Sequence, residues 1–383
     1  MSTTAAADVA SRATLIERNL AEVLTRDELI RLLESGHPIR HYIGFEISGR
    51  VHLGQGLVCM SKVADFQRAG VACHVLLADW HTWINDKLGG DRDVIRRVAL
   101  GYFAESLRAG LKCVGGDPDG VTFVLGTDLY HHNDDYWATF VEVSKHTTLA
   151  RMQRSISITG RGEGDNVDFA KLIYPPMQVA DIFFQGINLA HAGMDQRKAH
   201  VIARDVALQM RTSALRGAHG EVIKPIAVHN PLIMGLRKPA VWPVPEGMDR
   251  RQLVTTMKMS KSDPASAIFI HDEPDVIRRK VNKAFCPPGE TELNPVLNWM
   301  KGLVFAIGDG PLHLERSEAN GGRITFDRYE DVAAAYLAET LHPGDLKAGL
   351  ATWLIDRLAP AREHFADPAR RAQLDELNTL VGA

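Results

Sequence analysis

The sequence predicts an α/β fold, a doubly wound parallel sheet, followed by an all-helical C-terminal domain. Three observations carry this expectation. Up to about residue 271, short apolar runs alternate with amphipathic segments of helical spacing, the pattern that a parallel sheet with crossover helices requires. The stretch around SGRVHLGQG (48–56) reads as strand, glycine-bearing loop and helix, the unit from which such a sheet is wound. From about residue 272 onward the periodicity is helical, with no convincing strand.

The elements follow in order. Residues 1–36 form an N-terminal helical extension whose Ala-rich first ten residues are expected to be disordered. Its helix is delimited by a capping box, Thr25 with Glu28, and stopped at Ser35-Gly36, with Leu29, Ile30, Leu32 and Leu33 on its apolar face. The Rossmann-type domain spans 37–271. It opens with HYIGFEISGRVHLGQGLVCMSKVADFQRAG, read as strand, glycine loop and helix. CHVLLAD, VTFVLG and IAVHNPLIM supply further strands, and helices cover about 91–111 and DDYWATFVEVSKH. EPDVIRRKVNKAF, NPVLNWMKGLVFAIG, RYEDVAAAYLAETL and HPGDLKAGLATWLIDRLAPAREHF make up the helical domain, 272–383.

Composition narrows the class. At 383 residues, 45% hydrophobic and 24% charged, the chain has the profile of a soluble globular protein large enough for two domains. A net charge of −3 requires any nucleic-acid contact to come from local patches. Cys59, Cys73, Cys113 and Cys286 form no CxxC pair, which argues against a zinc site or a disulfide framework. Charges at Asp8, Arg12, Glu17 and Arg18 exclude a signal peptide, and no run approaches the ~18 apolar residues of a membrane span. A cytoplasmic location is expected.

Two stretches carry chemistry. In SGRVHLGQG, His52 and the flanking glycines stand at a helix start, where backbone can approach an anion and the helix end attracts it. Taken alone, a tight turn with an incidental histidine explains this equally well. In MKMSKSDPASAIF (257–269), Lys258 and Lys261 lie on a short polar loop. Compact cations on flexible stems suit phosphate oxygens, although a solvated basic loop is the ordinary reading of an isolated lysine pair.

The pairing of a His-x-Gly turn with a later Lys-Met-Ser-Lys-Ser resembles the class I aminoacyl-tRNA synthetases. YIGFEISG, LLADWHTWINDK, KLIYPPMQVADIFFQG, AGMDQRKAHVIARD and TLHPGDLK extend the resemblance to tyrosyl-tRNA synthetases of the archaeal and eukaryotic type, from about residue 20 to 365. The resemblance implies activation of L-tyrosine with ATP and Mg²⁺ and transfer to tRNA(Tyr), with no tightly bound cofactor. It also implies a homodimer, with an inserted dimerisation and acceptor-stem segment around 130–175 and a mobile loop at 258–262. By it, His52, Gln55, Lys258 and Lys261 are catalytic, and ATP meets Gly44, His52, Gly54, Gln55, Lys258, Met259, Ser260, Lys261 and Ser262. Tyr42 and Asp181 contact the substrate hydroxyl; Tyr174, Gln178 and Gln196 bind its ammonium group; Glu46 and His81 lie near the pocket. Arg154 and Arg197 meet the first base pair of the acceptor stem, and His342 and Asp345 the anticodon. Two positions depart from the pattern: Gln55 replaces the second histidine of the first motif, and Ile47 replaces a proline. A base-stacking aromatic would fall near Leu303.

The residues themselves agree with several of these roles. A phenol hydroxyl both donates and accepts, which suits a Tyr–Asp pair. Asp181 lies in the apolar run VADIF, where a carboxylate is costly unless satisfied. Tyr174, Gln178 and Asp181 fall on one helical face. His81 is as readily a satisfied core histidine. Arg278, Arg279, Lys280 and Lys283 form a basic helical face for which solvation is the simpler reading. Alternatives are a tryptophanyl-tRNA synthetase, a non-catalytic RNA-binding paralogue, and an adenylating enzyme of small-molecule synthesis.

Overall fold

The computed structural model describes residues 3–160, 168–248, 253, 256–259, 263–308 and 310–382. Ser260, Lys261 and Ser262 lie outside these described residues. The central sheet has six strands: β1 (Glu22–Leu24), β2 (Arg40–Phe45), β3 (Ala72–Leu77), β4 (Val121–Leu125), β5 (Leu189–Gly193) and β6 (Ile226–Asn230). Their spatial order is β1-β6-β5-β2-β3-β4, all parallel except β1. The chain runs β2, β3, β4 to one side, then crosses to β5 and β6 on the other. The direction of winding therefore switches between β2 and β5. Those two strands pair only at His41–Leu189 and Tyr42–Ala190, then separate. A crevice opens where they part, which is where doubly wound sheets bind ligands.

Four strands are those expected; β1 and β5 were not. LAHAG carries small residues and a buried histidine instead of β-branched ones, so it lacks a strand signature. β1 has three residues, too few for alternation to register, and it joins the sheet edge by pairing with β6. The N-terminal extension is therefore not purely helical. Its first ten residues also depart from expectation, because a helix spans Thr3–Glu17. Alanine is the strongest helix former, and burial of Ala13 and Ile16 against the core supplies the tertiary support that local sequence could not promise. The capping box is present: Thr25 Oγ1 accepts from the Glu28 N–H at the start of helix Arg26–Glu34.

The C-terminal region is helical, with helices Pro274–Asn282, Tyr329–Leu337, Pro343–Arg357 and Pro368–Leu380 among its elements. It also holds an antiparallel hairpin, β7 (Leu312–Leu314) with β8 (Ile324–Phe326), which corrects the reading of no strand there. Each arm is three residues long; β8 packs on helix Tyr329–Leu337 and β7 on helix Pro343–Arg357. There Gly349 leaves room for Leu314, whose Cδ2 would sit 2.0 Å from any Cβ. No break in packing marks residue 272: a single apolar cluster includes Ile43 and Leu57 of the sheet domain with Leu303, Leu350 and Leu377 beyond it.

Candidate active site

The crevice at the ends of β2 and β5 is a cleft of about 840 Å³. One end is built by β2, helix Ala170–Phe184 and their neighbours. Tyr42, Gly44 and Glu46 enter from β2 and its continuation, and Tyr174, Gln178 and Asp181 from the expected helical face. His81 comes from helix Asp79–Ile84, and Gln196 from the turn after β5. At the other end stand His52, Gly54 and Gln55 of the glycine loop, with Lys258 and Met259 opposite. Gly44 is required by proximity: a Cβ there would lie 2.9 Å from Tyr42 Oη.

Asp181 is fully buried. Tyr136 donates its hydroxyl to Asp181 Oδ1 at 3.0 Å, while Oδ2 has no hydrogen-bond partner among the described residues and lies 3.8 Å from His81 Nε2. Burial pushes the carboxyl up to about 7, opposed by the Tyr136 hydroxyl. Burial likewise brings His81 down to about 4, so its imidazole is neutral. Burial, and then the Asp181 charge, raise Tyr42 well above an ordinary phenol, so it keeps its proton. The end of the cleft is thus a Tyr42 hydroxyl, a carboxylate oxygen in want of a donor, and aromatic walls.

Most of the neighbouring polar groups are individually held. Asn85 Nδ2 donates to Glu46 Oε1. The Tyr174 phenol, raised well above its ordinary value by burial and then by Glu46, packs edge-on against His81 at 4.5 Å. Gln196 Nε2 donates to the Ile158 carbonyl at 3.0 Å, and Gln178 Oε1 is buried without a partner among the described residues. At the loop end, His52 Nδ1 accepts from the Gly54 N–H at 3.1 Å, which orients the imidazole at the helix start. Lys258 Nζ lies 3.2 Å from Asp195 Oδ2.

Sequence reasoning missed Tyr136, Asn85 and Asp195. Tyr136 lies in DDYW, a helical segment read for its apolar spacing, and only packing against helix Ala170–Phe184 brings its hydroxyl to Asp181. The four residues expected to meet tRNA lie outside the cleft. Arg154 is exposed, and its carbonyl accepts from Lys198 Nζ at 2.6 Å. Arg197 pairs with Glu22. His342 caps helix Pro343–Arg357, accepting from the Gly344 N–H, and Asp345 sits in that helix's first turn. Leu303 is completely buried, so a base cannot stack there without repacking the core. Lys280 is not a free member of the basic face, because it donates to the Ala267 carbonyl and to Asp272, each at 2.8 Å.

The profile of tRNA synthetases class I (W and Y) matches residues 34–359. A tyrosine–tRNA ligase of Thermococcus sibiricus is 51% identical over 359 residues, covering 94% of this chain and 95% of that one. The crystal structure of the tyrosyl-tRNA synthetase of Pyrococcus horikoshii, complexed with L-tyrosine, superposes with a TM-score of 0.93 at 47% identity, over 96% of this chain and 99% of that one. The chain belongs to the class I tyrosyl-tRNA synthetases. The tryptophanyl-tRNA synthetase of Aeropyrum pernix superposes with a TM-score of 0.64 at 18% identity, over 94% of this chain and 84% of that one, which is likeness of fold alone. As in other tyrosyl-tRNA synthetases, the fold is a mostly parallel sheet flanked by helices with a helical C-terminal region.

Proposed function

We infer that this chain is a tyrosine–tRNA ligase that works as a cytoplasmic homodimer. A tyrosine carboxylate oxygen attacks the α-phosphorus of ATP, and pyrophosphate leaves. A terminal ribose hydroxyl of tRNA(Tyr) then attacks the carbonyl carbon of the mixed anhydride, and AMP leaves. The carboxylate is ionised at neutral pH, so catalysis is positioning and charge neutralisation rather than proton abstraction. Asp181 and Tyr42 hold the substrate hydroxyl; Tyr174, Gln178 and Gln196 receive its ammonium group, with Glu46 and His81 closing the pocket. His52, Gln55, Lys258 and Lys261 meet the phosphates, with Gly44, Gly54, Met259, Ser260 and Ser262 shaping the nucleotide site. Mg²⁺ enters with ATP as part of the substrate. Arg154 and Arg197 contact the acceptor stem, and His342 and Asp345 the anticodon.

The observation that carries this reading is Asp181 Oδ2, without a hydrogen-bond partner among the described residues, sharing one cleft with Tyr42 and the His52 loop. An indole N–H only donates, so a tryptophan pocket has no use for a second partner that donates. The test is pyrophosphate exchange with each of the twenty amino acids, followed by charging of tRNA(Tyr). Exchange with tyrosine together with charging is expected. Exchange with tryptophan would reassign the pocket, and exchange without charging would indicate an adenylating enzyme. Lys261→Ala should slow adenylate formation severely and leave tyrosine binding nearly unchanged, because its cation gains most as charge builds in the transition state. Pre-steady-state kinetics separate the two steps, and a normal activation rate would remove Lys261 from the mechanism.

A further inference from the structure

Arg197 does not stand alone on its helix. Its Nε donates to Glu22 Oε2 at 2.7 Å and its Nη2 to Glu22 Oε1 at 2.8 Å, a two-point clasp between helix Arg197–Val206 and the edge strand β1. Glu22 is fixed in turn. It is the cross-strand partner of His229 on β6, and His229 Nδ1 lies 3.0 Å from Glu22 Oε2. His229 Nε2 is 3.1 Å from His200 Nδ1, and His200 lies one turn beyond Arg197 on the same helix. Arg197, Glu22, His229 and His200 thus form a series that begins and ends on one helix.

The charge on Glu22 favours one proton placement. If His229 carried its proton on Nε2, a bare Nδ1 would face the Glu22 carboxylate. The arrangement that avoids this puts the proton on His229 Nδ1, which lies 3.0 Å from Glu22 Oε2 but outside hydrogen-bond geometry, and leaves Nε2 to accept from His200 Nδ1–H. His200 Nε2 is then left as a bare acceptor, and it indeed has no hydrogen-bond partner among the described residues. Burial lowers both histidines, which keeps them neutral, and the Arg197 hydrogen bond lowers Glu22, which keeps it charged.

The consequence concerns how Arg197 can bind. The clasp uses the Nε/Nη2 edge of the guanidinium and fixes its plane. The remaining edge, Nη1 with the outer hydrogen of Nη2, is the pair of donors that fits guanine O6 and N7. No hydrogen bond of this edge is seen among the described residues, and the Arg197 side chain as a whole is 42% exposed. A freely rotating arginine would serve a phosphate equally well; an arginine held on one side is pre-organised for a base edge.

We propose that Glu22 is a positioning residue for tRNA recognition: it buttresses Arg197 so that the guanidinium reads a guanine in the acceptor stem. This rests on the assignment of Arg197 to the acceptor stem made above. The test compares charging of two tRNA(Tyr) transcripts, with C–G or G–C as the first acceptor pair, by wild type, Glu22→Gln, Glu22→Ala and Arg197→Lys. The wild type should prefer C–G by about tenfold or more in kcat/KM. Glu22→Ala should lose most of that preference and Glu22→Gln part of it, while pyrophosphate exchange stays at the wild-type rate in both. A merely structural Glu22 would lower exchange and both charging rates together, leaving the ratio intact, and this result overturns the proposal. Faster charging of both transcripts by Glu22→Ala would overturn it too, showing that Glu22 competes with RNA for Arg197. If Arg197→Lys keeps the preference, the underlying assignment fails; if it loses the preference while both Glu22 variants keep it, only the buttress fails.

Discussion

Asp181 occupies a helix interior with no exposed surface, and its proton equilibrium has two measurable consequences. Its folded pKa of about 7 lies above the ~3.9 of an unfolded aspartate. Between those values the native chain holds a proton that the unfolded chain has released. This group's contribution to stability is therefore complete below about pH 4 and is lost as pH rises towards about 7. Asp181→Asn cannot ionise, so its Tm relative to wild type should rise across that window. Thermal melts on either side of the window check this, and an unchanged difference would show that burial does not oppose the charge. The second consequence is selectivity. Asp181→Ala should lower kcat/KM for tyrosine far more than for phenylalanine, and Tyr136→Phe should do so more mildly. Removing the Tyr136 donor from a buried carboxylate costs on the order of 1–3 kcal/mol. Pyrophosphate exchange with both amino acids measures it, and full preference in Asp181→Ala would place the substrate hydroxyl elsewhere. Asp181 itself was legible in the sequence because a carboxylate within VADIF demands a reason. Tyr136 was not, because nothing local distinguishes a tyrosine that packs from one that donates.

Between elements, glycines decide how closely the glycine loop is approached. Helix Ala104–Cys113 passes so near Gly56 that a Cβ on Gly110 would fall 2.3 Å from the Gly56 carbonyl oxygen, and one on Gly56 would fall 2.2 Å from Ile270 Cγ2. In an isolated helix, Gly110→Ala would stabilise by about 1 kcal/mol. Against a backbone oxygen that cannot move aside, overpacking on the order of 1–3 kcal/mol should win, and the variant should be less stable. Urea unfolding decides, and a stabilised Gly110→Ala would mean that the helix can withdraw from the loop. The strands β2, β3, β4 and β6 were readable because buried parallel strands are continuous apolar runs. β1, β5, β7 and β8 escaped because they are short or built of small residues, and they exist by pairing rather than by propensity.

At the scale of the whole molecule, the last helix returns to the first motif. Asn378 Oδ1 accepts from Arg50 Nε at 2.8 Å, and Arg50, Val381 and Gly382 line the cleft beside the His52 loop. Glu105 of the sheet domain accepts from Arg370 Nε at 2.8 Å, with His364 Nε2 at 2.7 Å, and so ties down the last helix, Pro368–Leu380, and the one before it, Ala359–His364. Asn378→Ala should therefore raise the KM for ATP several-fold, by freeing a cation at the nucleotide end, and leave the KM for tyrosine unchanged. Equal effects on both substrates would point to a general loosening instead. The sequence by itself determined the alternation that makes a parallel sheet, the helical face shared by Tyr174, Gln178 and Asp181, and the His52 loop and the Lys258–Met259 stretch that line one cleft. These are set by neighbours along the chain, through periodicity and short spacing. Only the tertiary structure decided that Tyr136 holds Asp181, that Glu22 clasps Arg197 and that Asn378 fixes Arg50. Each joins residues from different elements, and such contacts depend on the winding of the sheet and on close approach at glycines, neither of which leaves a periodic trace in the chain.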